Sequence, residues 1–177
     1  MDSGRQQGAE FMSRRFSSTE IKSVFGHFST GVTVITGQSA GIPHGFTCQS
    51  FVALSMDPTY IGFCPGRSST SWPRIRQSGA VCINILASDQ ESLCRRFADR
   101  REDRFADVQW RPGRNGAPAF DGVLARIEAD VVDEIEAGDH TIVVAEPTEF
   151  WVSSVRTPLL YYRGAFGCPH EAAGVHA

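Results

Sequence analysis

Residues 44–70 read HGFTCQSFVALSMDPTYIGFCPGRSST, and this stretch decides the fold. Two apolar, alternating runs join two clusters of small polar residues. Thr47, Gln49 and Ser50 lie at one end, and Ser68, Ser69 and Thr70 follow Arg67 at the other. Side chains of a strand alternate between faces, so an antiparallel hairpin built from these runs sends its apolar side to a core and leaves polar groups at the strand ends. Hydroxyls and main-chain N–H groups after a strand, beside one Arg and before a helix, suit an anionic ligand such as a phosphate. The same composition also fits an ordinary hairpin with a solvated Ser-rich turn.

Working outward from this hairpin, Ser17 and Glu20 have the spacing of a capping box, and Ile21, Val24, Phe25 and Phe28 recur on one helical face. An amphipathic lid or side helix is expected there. GVTVITG (31–37) then reads as a strand, with Val32, Val34 and Thr36 on one face and Thr33 and Ile35 on the other. C-terminal to the hairpin, a short helix is expected over residues 71–76, with Pro73 in its first turn, and AVCINIL (80–86) reads as a strand carrying one polar residue, Asn84. Ser88 and Glu91 suggest a second capping box for a helix through Phe97. Residues 99–118 are rich in charge, Gly and Pro, yet Phe105 and Trp110 make them a packed loop and not a linker. LARIEADVVDEIEA (124–137) and HTIVVAEPTEFWV (140–152) are two long strands flanking a Gly138-Asp139 turn, and PLLYYRG (158–164) is a last apolar run.

Strands dominate and are joined mostly by turns, so the fold class is mostly β: an antiparallel β-barrel with flanking helices, in which about six or seven strands close to remove their edges. No GxGxxG follows a strand and no GxxxxGK[ST] occurs, so a nucleotide is not held in Rossmann or P-loop fashion.

At 177 residues and 41% apolar content the chain supports one domain with a proper core. We assign it to residues 16–167, after a flexible leader at 1–15 and before a flexible tail at 168–177. A formal charge of −3 without a basic stripe argues against nucleic acid and an anionic membrane surface, and points to a small partner. With neither a membrane-length apolar run nor a secretory signal pattern, a cytoplasmic location is expected. Cys48, Cys64, Cys82, Cys94 and Cys168 form no CxxC pair, and the five histidines show no zinc spacing, so reduced structural thiols and no metal are expected.

HFSTGVTVITG, HGFTCQSFVALSMDP, RSST, INIL, RRFADRREDRFADVQW, AGDHTIVVAEP and PLLYYRGAFG, in this order and spacing from about Phe16 to Phe166, resemble the short-chain flavin reductases. These are the reductase components of two-component flavin-dependent monooxygenases. The resemblance implies a homodimer of Greek-key, FMN-binding split barrels with flavin near the subunit interface. It also implies hydride transfer from NADH or NADPH to FMN or FAD that serves a partner oxygenase. On that resemblance Thr47, Cys48, Gln49 and Ser50 line the isoalloxazine, while Ser68, Ser69 and Thr70, supported by Arg67, lie near the flavin phosphate. Asn84 backs the ring, Arg96 and Phe97 meet the flavin tail, Tyr162 and Arg163 belong to the closing strand, and His140 stands beside the nicotinamide. Two other readings share the fold: an oxidase or tailoring enzyme with tightly bound flavin, and a non-enzymatic flavin-binding or haem-degradation-type carrier. Read by themselves, His140 could serve only its turn, Asn84 could be an edge residue, and Phe97 and Tyr162 could be core aromatics.

Overall fold

The computed structural model describes residues 16–99 and 103–169; the expected leader at 1–15 and residues 170–177 of the expected tail lie outside them. Helix α1 (Ser18–Phe25) begins at the expected capping box: the Glu20 N–H donates to Ser17 Oγ at 3.2 Å and the Ser17 N–H donates to Glu20 Oε2 at 2.8 Å. Among the described residues its apolar face stays uncovered, with no buried residue, and Phe28 just beyond it is 78% exposed.

Strands β1 (Thr30–Gly31), β2 (Thr33–Ser39), β3 (Ile42–Cys48), β4 (Val52–Met56) and β5 (Thr59–Phe63) follow. After them come α2 (Trp72–Ile75), β6 (Ala80–Ile85), α3 (Glu91–Ala98), and the short pair β7 (Trp110–Pro112) and β8 (Pro118–Phe120). The chain continues with β9 (Ala125–Ala137), β10 (His140–Val152), β11 (Leu160–Tyr162) and β12 (Ala165–Gly167). Seven strands form one antiparallel sheet in the order β3-β2-β6-β9-β10-β5-β4. The β9–β10 hairpin turns through two residues, with Gly138 at φ +63°, the left-handed conformation such turns require. Two register shifts along this hairpin, after Val144 and after Pro147, bend its long strands.

Ile35 of β2, Cys48 of β3, Ile61 and Phe63 of β5, Ile83 of β6, Ile127 of β9 and Val143 of β10 share one core cluster. Strands near both ends of the sheet therefore face the same core, and the sheet is rolled around it. Its end strands β3 and β4 have no ladder with each other. The split is bridged by a side chain: Ser50 Oγ accepts the Cys64 N–H at 2.8 Å, tying the segment after β3 to the end of β5.

Val32, just before β2, and Val34, on its opposite face, join a second cluster with Phe97 of α3 and Phe120 of β8, and Phe105 and Trp110 pack on it. The alternation of residues 32–36 and the packed-loop reading of the Phe105–Trp110 region are thus both realised. Gly45 of β3 is where α3 presses closest, since a Cβ there would stand 2.8 Å from the Phe97 ring and 3.2 Å from the Ile35 carbonyl.

Two expectations are corrected and one open reading is closed. Ser88 and Glu91 make no capping box: the Ser88 hydroxyl is 2.9 Å from that of Thr157, Glu91 pairs with Arg95, and α3 is capped by Gln90 without a side-chain bond. The hairpin of β4 and β5 forms, but β4 does not turn its apolar residues to the core. Val52 and Leu54 are exposed and Met56 is 85% exposed, because β4 is an edge strand lying beyond the cluster that β5 joins.

Asn84, third, is no edge residue. Its side chain is fully buried, Nδ2 donating to the Val34 carbonyl at 3.2 Å and to Thr36 Oγ1 at 3.0 Å, while Oδ1 accepts the Phe120 N–H at 2.8 Å. This amide joins β2, β6 and β8. Asn84→Leu strands the buried Phe120 N–H, while the Thr36 hydroxyl keeps its own acceptors, so we expect a loss of about 2–3 kcal/mol and a melting temperature lower by roughly 5–10 °C, checked by thermal denaturation.

Candidate functional site

The loop after β5 continues the β5–β10 pairing beyond its ladder. The Thr141 N–H donates to the Pro65 carbonyl at 3.0 Å, the Arg67 N–H donates to the Asp139 carbonyl at 2.8 Å, and Gly66 bridges to His140. His140 is thereby held against the Arg67–Ser68–Ser69–Thr70 cluster, far from it in sequence. A Cβ on Gly66 would lie 3.7 Å from His140 Nε2 and 3.9 Å from Ser68 Oγ, so the bare glycine keeps open the gap between imidazole and hydroxyl.

Each side chain here has a definable task. The Ser69 hydroxyl accepts the Trp72 N–H at 3.1 Å, and the Ser69 N–H closes a turn on the Gly66 carbonyl at 2.9 Å. Ser68 and Thr70 are exposed or nearly so, and Arg67 reaches only a 3.9 Å pairing with exposed Glu136, so its guanidinium is available to a ligand. His140 is half-exposed and its Nδ1 stands 2.8 Å from Asp139 Oδ1. That hydrogen bond is also the first cause holding the Asp139 carboxyl below its ordinary range. With Nδ1 engaged, Nε2 faces the gap beside Gly66.

Ser50 carries the connection onward. Its Oγ takes the Cys64 N–H at 2.8 Å and lies 3.1 Å from Cys48 Sγ, so residues 48–50 sit beside the start of the 64–70 loop. Burial pushes the Cys48 thiol up, which keeps it neutral. The β2–β3 ladder ends at Cys48, and Gln49 and Ser50 are exposed just past it. They form one rim of a groove of about 1130 Å³. Its other walls are α1, with Lys22, Phe25 and Phe28, and the β11–β12 turn, with Tyr161 and Arg163.

The structure thus gathers Arg67, Ser68, Ser69, Thr70 and His140 at the loop after β5, and sets Gln49 and Ser50 on the rim of the groove with Arg163 across it, the two groups being tied by the Ser50–Cys64 hydrogen bond. Other expected site residues lie elsewhere. The Thr47 hydroxyl donates to the Cys94 carbonyl at 2.6 Å, tying β3 to α3. Asn84 is spent in the core, Phe97 is buried against Phe105 and Phe120, and an Arg96 Nη1 donates to the Ala106 carbonyl. Tyr162 is exposed and stands edge-on to His27, while its neighbour Tyr161 lines the groove. Sequence reading missed Tyr161 and the α1 wall as lining of the groove, though both carried a signal as aromatic and apolar residues in excess of what the core uses.

These observations define a class: a mostly β split barrel with hydroxyl, histidine and arginine side chains gathered at the split. The family model described as flavin reductase like domain matches residues 25–168, and the chain belongs to that family. It is 41% identical over 146 residues to HsaB, the reductase subunit of a flavin-dependent monooxygenase from Rhodococcus jostii, covering 82% of this chain and 75% of that one. Among solved structures, nitrilotriacetate monooxygenase component B from Mycobacterium thermoresistibile superposes with a TM-score of 0.86 at 41% identity, with 90% of each chain covered. The NADH:FAD oxidoreductase SgcE6 of Streptomyces globisporus, solved with NAD and FAD fragments, superposes with a TM-score of 0.84 at 32% identity over 88% of this chain and 94% of that one.

Proposed function

We propose that this protein is an NAD(P)H:flavin oxidoreductase that reduces FMN or FAD for a partner flavin-dependent oxygenase. The observation that carries this reading is the meeting of His140 with the Arg67–Thr70 cluster across bare Gly66, beside Gln49 and Ser50, in a chain of the flavin reductase like family. Flavin, when bound, supplies the hydride-accepting ring. The chain's own residues fit such a ligand: main-chain N–H groups of Gln49 and Ser50 past the ladder for ring oxygens and nitrogens, and the Ser68, Ser69 and Thr70 hydroxyls with Arg67 for the phosphate. His140 Nε2 would accept from the nicotinamide amide and align it. Holding two bound rings in contact accounts for most of the catalysis, so an acid–base pair is not needed.

We assign the activity to residues 16–167 and place the protein in the cytoplasm; among the described residues no helix is long and apolar enough to cross a membrane. The neighbour carrying NAD and FAD fragments makes NADH with FAD the first pair to assay. Loss of NADH and NADPH absorbance with riboflavin, FMN and FAD in turn tests the reading. Turnover with at least one pair is expected, and a chain inert with all six pairs contradicts it.

A homodimer completes the proposal. The apolar faces of α1, with Phe25 72% exposed, and of β4, with Met56 85% exposed, are surfaces that a second copy would cover. Light scattering at micromolar concentration should give twice the chain mass of 19.4 kDa; a clean monomer would count against this architecture.

A further inference from the structure

Strand β3 is an edge of the seven-stranded sheet, and the Gly45 carbonyl on it accepts two donors, the Ser71 hydroxyl at 2.9 Å and Arg104 Nη1 at 2.8 Å. The same Nη1 lies 2.6 Å from Ser71 Oγ. Three parts of the chain, β3, the entry to α2 and the segment after α3, are thus pinned at one buried point, Ser71 being 6% exposed.

The arrangement is costlier than closing an edge carbonyl requires, since Ser71 alone could satisfy it. Burial lowers the Arg104 pKa, Asp99 acting the other way, and Arg104 Nε is buried without a hydrogen-bond partner among the described residues. The residue next to Arg104 is anchored as well. Phe105, the next residue, is wedged edge-on against Phe97 at 5.0 Å, and Phe97 packs on the bare face of Gly45. What the point joins explains its cost. Ser71 directly follows the Ser68–Thr70 cluster, and Gly45 leads along β3 into Gln49 and Ser50.

We propose that Arg104 and Ser71 are positioning residues that set the distance between the Ser68–Thr70 cluster and the Gln49–Ser50 rim, and so set flavin affinity without touching flavin. This rests on the flavin reading above. A ligand engaging both segments at once needs them spaced to within a fraction of an ångström, which a rigid supporting contact provides and a mobile surface loop does not.

The test is a double-mutant cycle on the full chain, with FMN dissociation constants from flavin fluorescence for wild type, Arg104→Met, Ser71→Ala and the double variant. Each single change should weaken FMN by about tenfold, the worth of one repositioned hydrogen bond, and the double should lose clearly less than the sum of the two, because the Arg104–Ser71 bond is lost in either single. The KM for flavin should rise while kcat at saturating flavin and the KM for NADH hold. Additive losses would overturn the proposal by showing that Arg104 meets the phosphate on its own, and so would wild-type FMN affinity in the singles. A joint fall of kcat with the folded fraction, read from melting curves, would reduce the contact to stability alone. Should Arg104→Met fail to fold, Ser71→Ala, which removes one hydroxyl, carries the decision by itself. A wild-type chain that binds no flavin takes the flavin reading down as well, whereas normal affinity in the variants overturns this proposal alone.

Discussion

Ser69→Asp is expected to weaken FMN binding by about two orders of magnitude while leaving the melting temperature close to that of wild type. The fold should tolerate the change because the Ser69 side chain serves it only by accepting the Trp72 N–H, and a carboxylate accepts that bond at least as well. The binding should not tolerate it. Two like charges about 5 Å apart near a protein surface repel by roughly 3 kcal/mol, which is about a hundredfold in affinity. Riboflavin, which lacks the phosphate, provides the internal control and should lose little. Fluorescence titration with both flavins and a thermal melt suffice, and unchanged FMN affinity in a stable variant would remove residues 66–70 from the site.

His140→Ala should lower kcat/KM for NADH by roughly ten- to a hundredfold, the worth of one hydrogen bond to a charged or strongly polar group, with flavin affinity nearly unchanged. Its side chain is 49% exposed and touches the fold through Asp139 and Gly66, so little stability depends on it. If the imidazole binds the nucleotide equally in ground and transition states, KM rises at constant kcat; if it aligns the ring, kcat falls as well. Steady-state kinetics at saturating flavin separates the two. Wild-type NADH kinetics in a stable, flavin-binding variant would sink the nucleotide assignment.

The residues of the site were legible in the sequence to the extent that their signals were local. The β9–β10 hairpin showed itself through long β-branched alternation around Gly138-Asp139, and Ser17 with Glu20 announced α1 because a capping box is complete within four residues. Ser88 and Glu91 carried the same local signature and formed no box, because Thr157, brought in from the far end of the chain, takes the hydroxyl. Asn84 shows the same limit: a polar residue in a strand reads alike at an edge or in a core, and only the arrival of Val34 and Phe120 decides.

Apolar alternation misled in one way, since it marks α1 and β4 as needing cover without saying that this chain does not supply it. The resemblance marks Thr47 and Phe97 as flavin contacts, yet in this structure Thr47 spends its hydroxyl on α3 and Phe97 its ring on the core. Arg104 and Ser71 were invisible because their acceptor, the Gly45 carbonyl, is main chain and distant in sequence from both.

The central claim is that this split barrel passes hydride from a pyridine nucleotide to a flavin that then leaves. Under anaerobic conditions, a trace of protein is mixed with excess NADH and a large molar excess of FMN or FAD, and the flavin's visible absorption is followed. The account predicts bleaching of many equivalents of flavin per chain, with NADH consumed mole for mole. Bleaching that stops at one equivalent per chain, or none at all with either flavin and with NADPH in place of NADH, would contradict it.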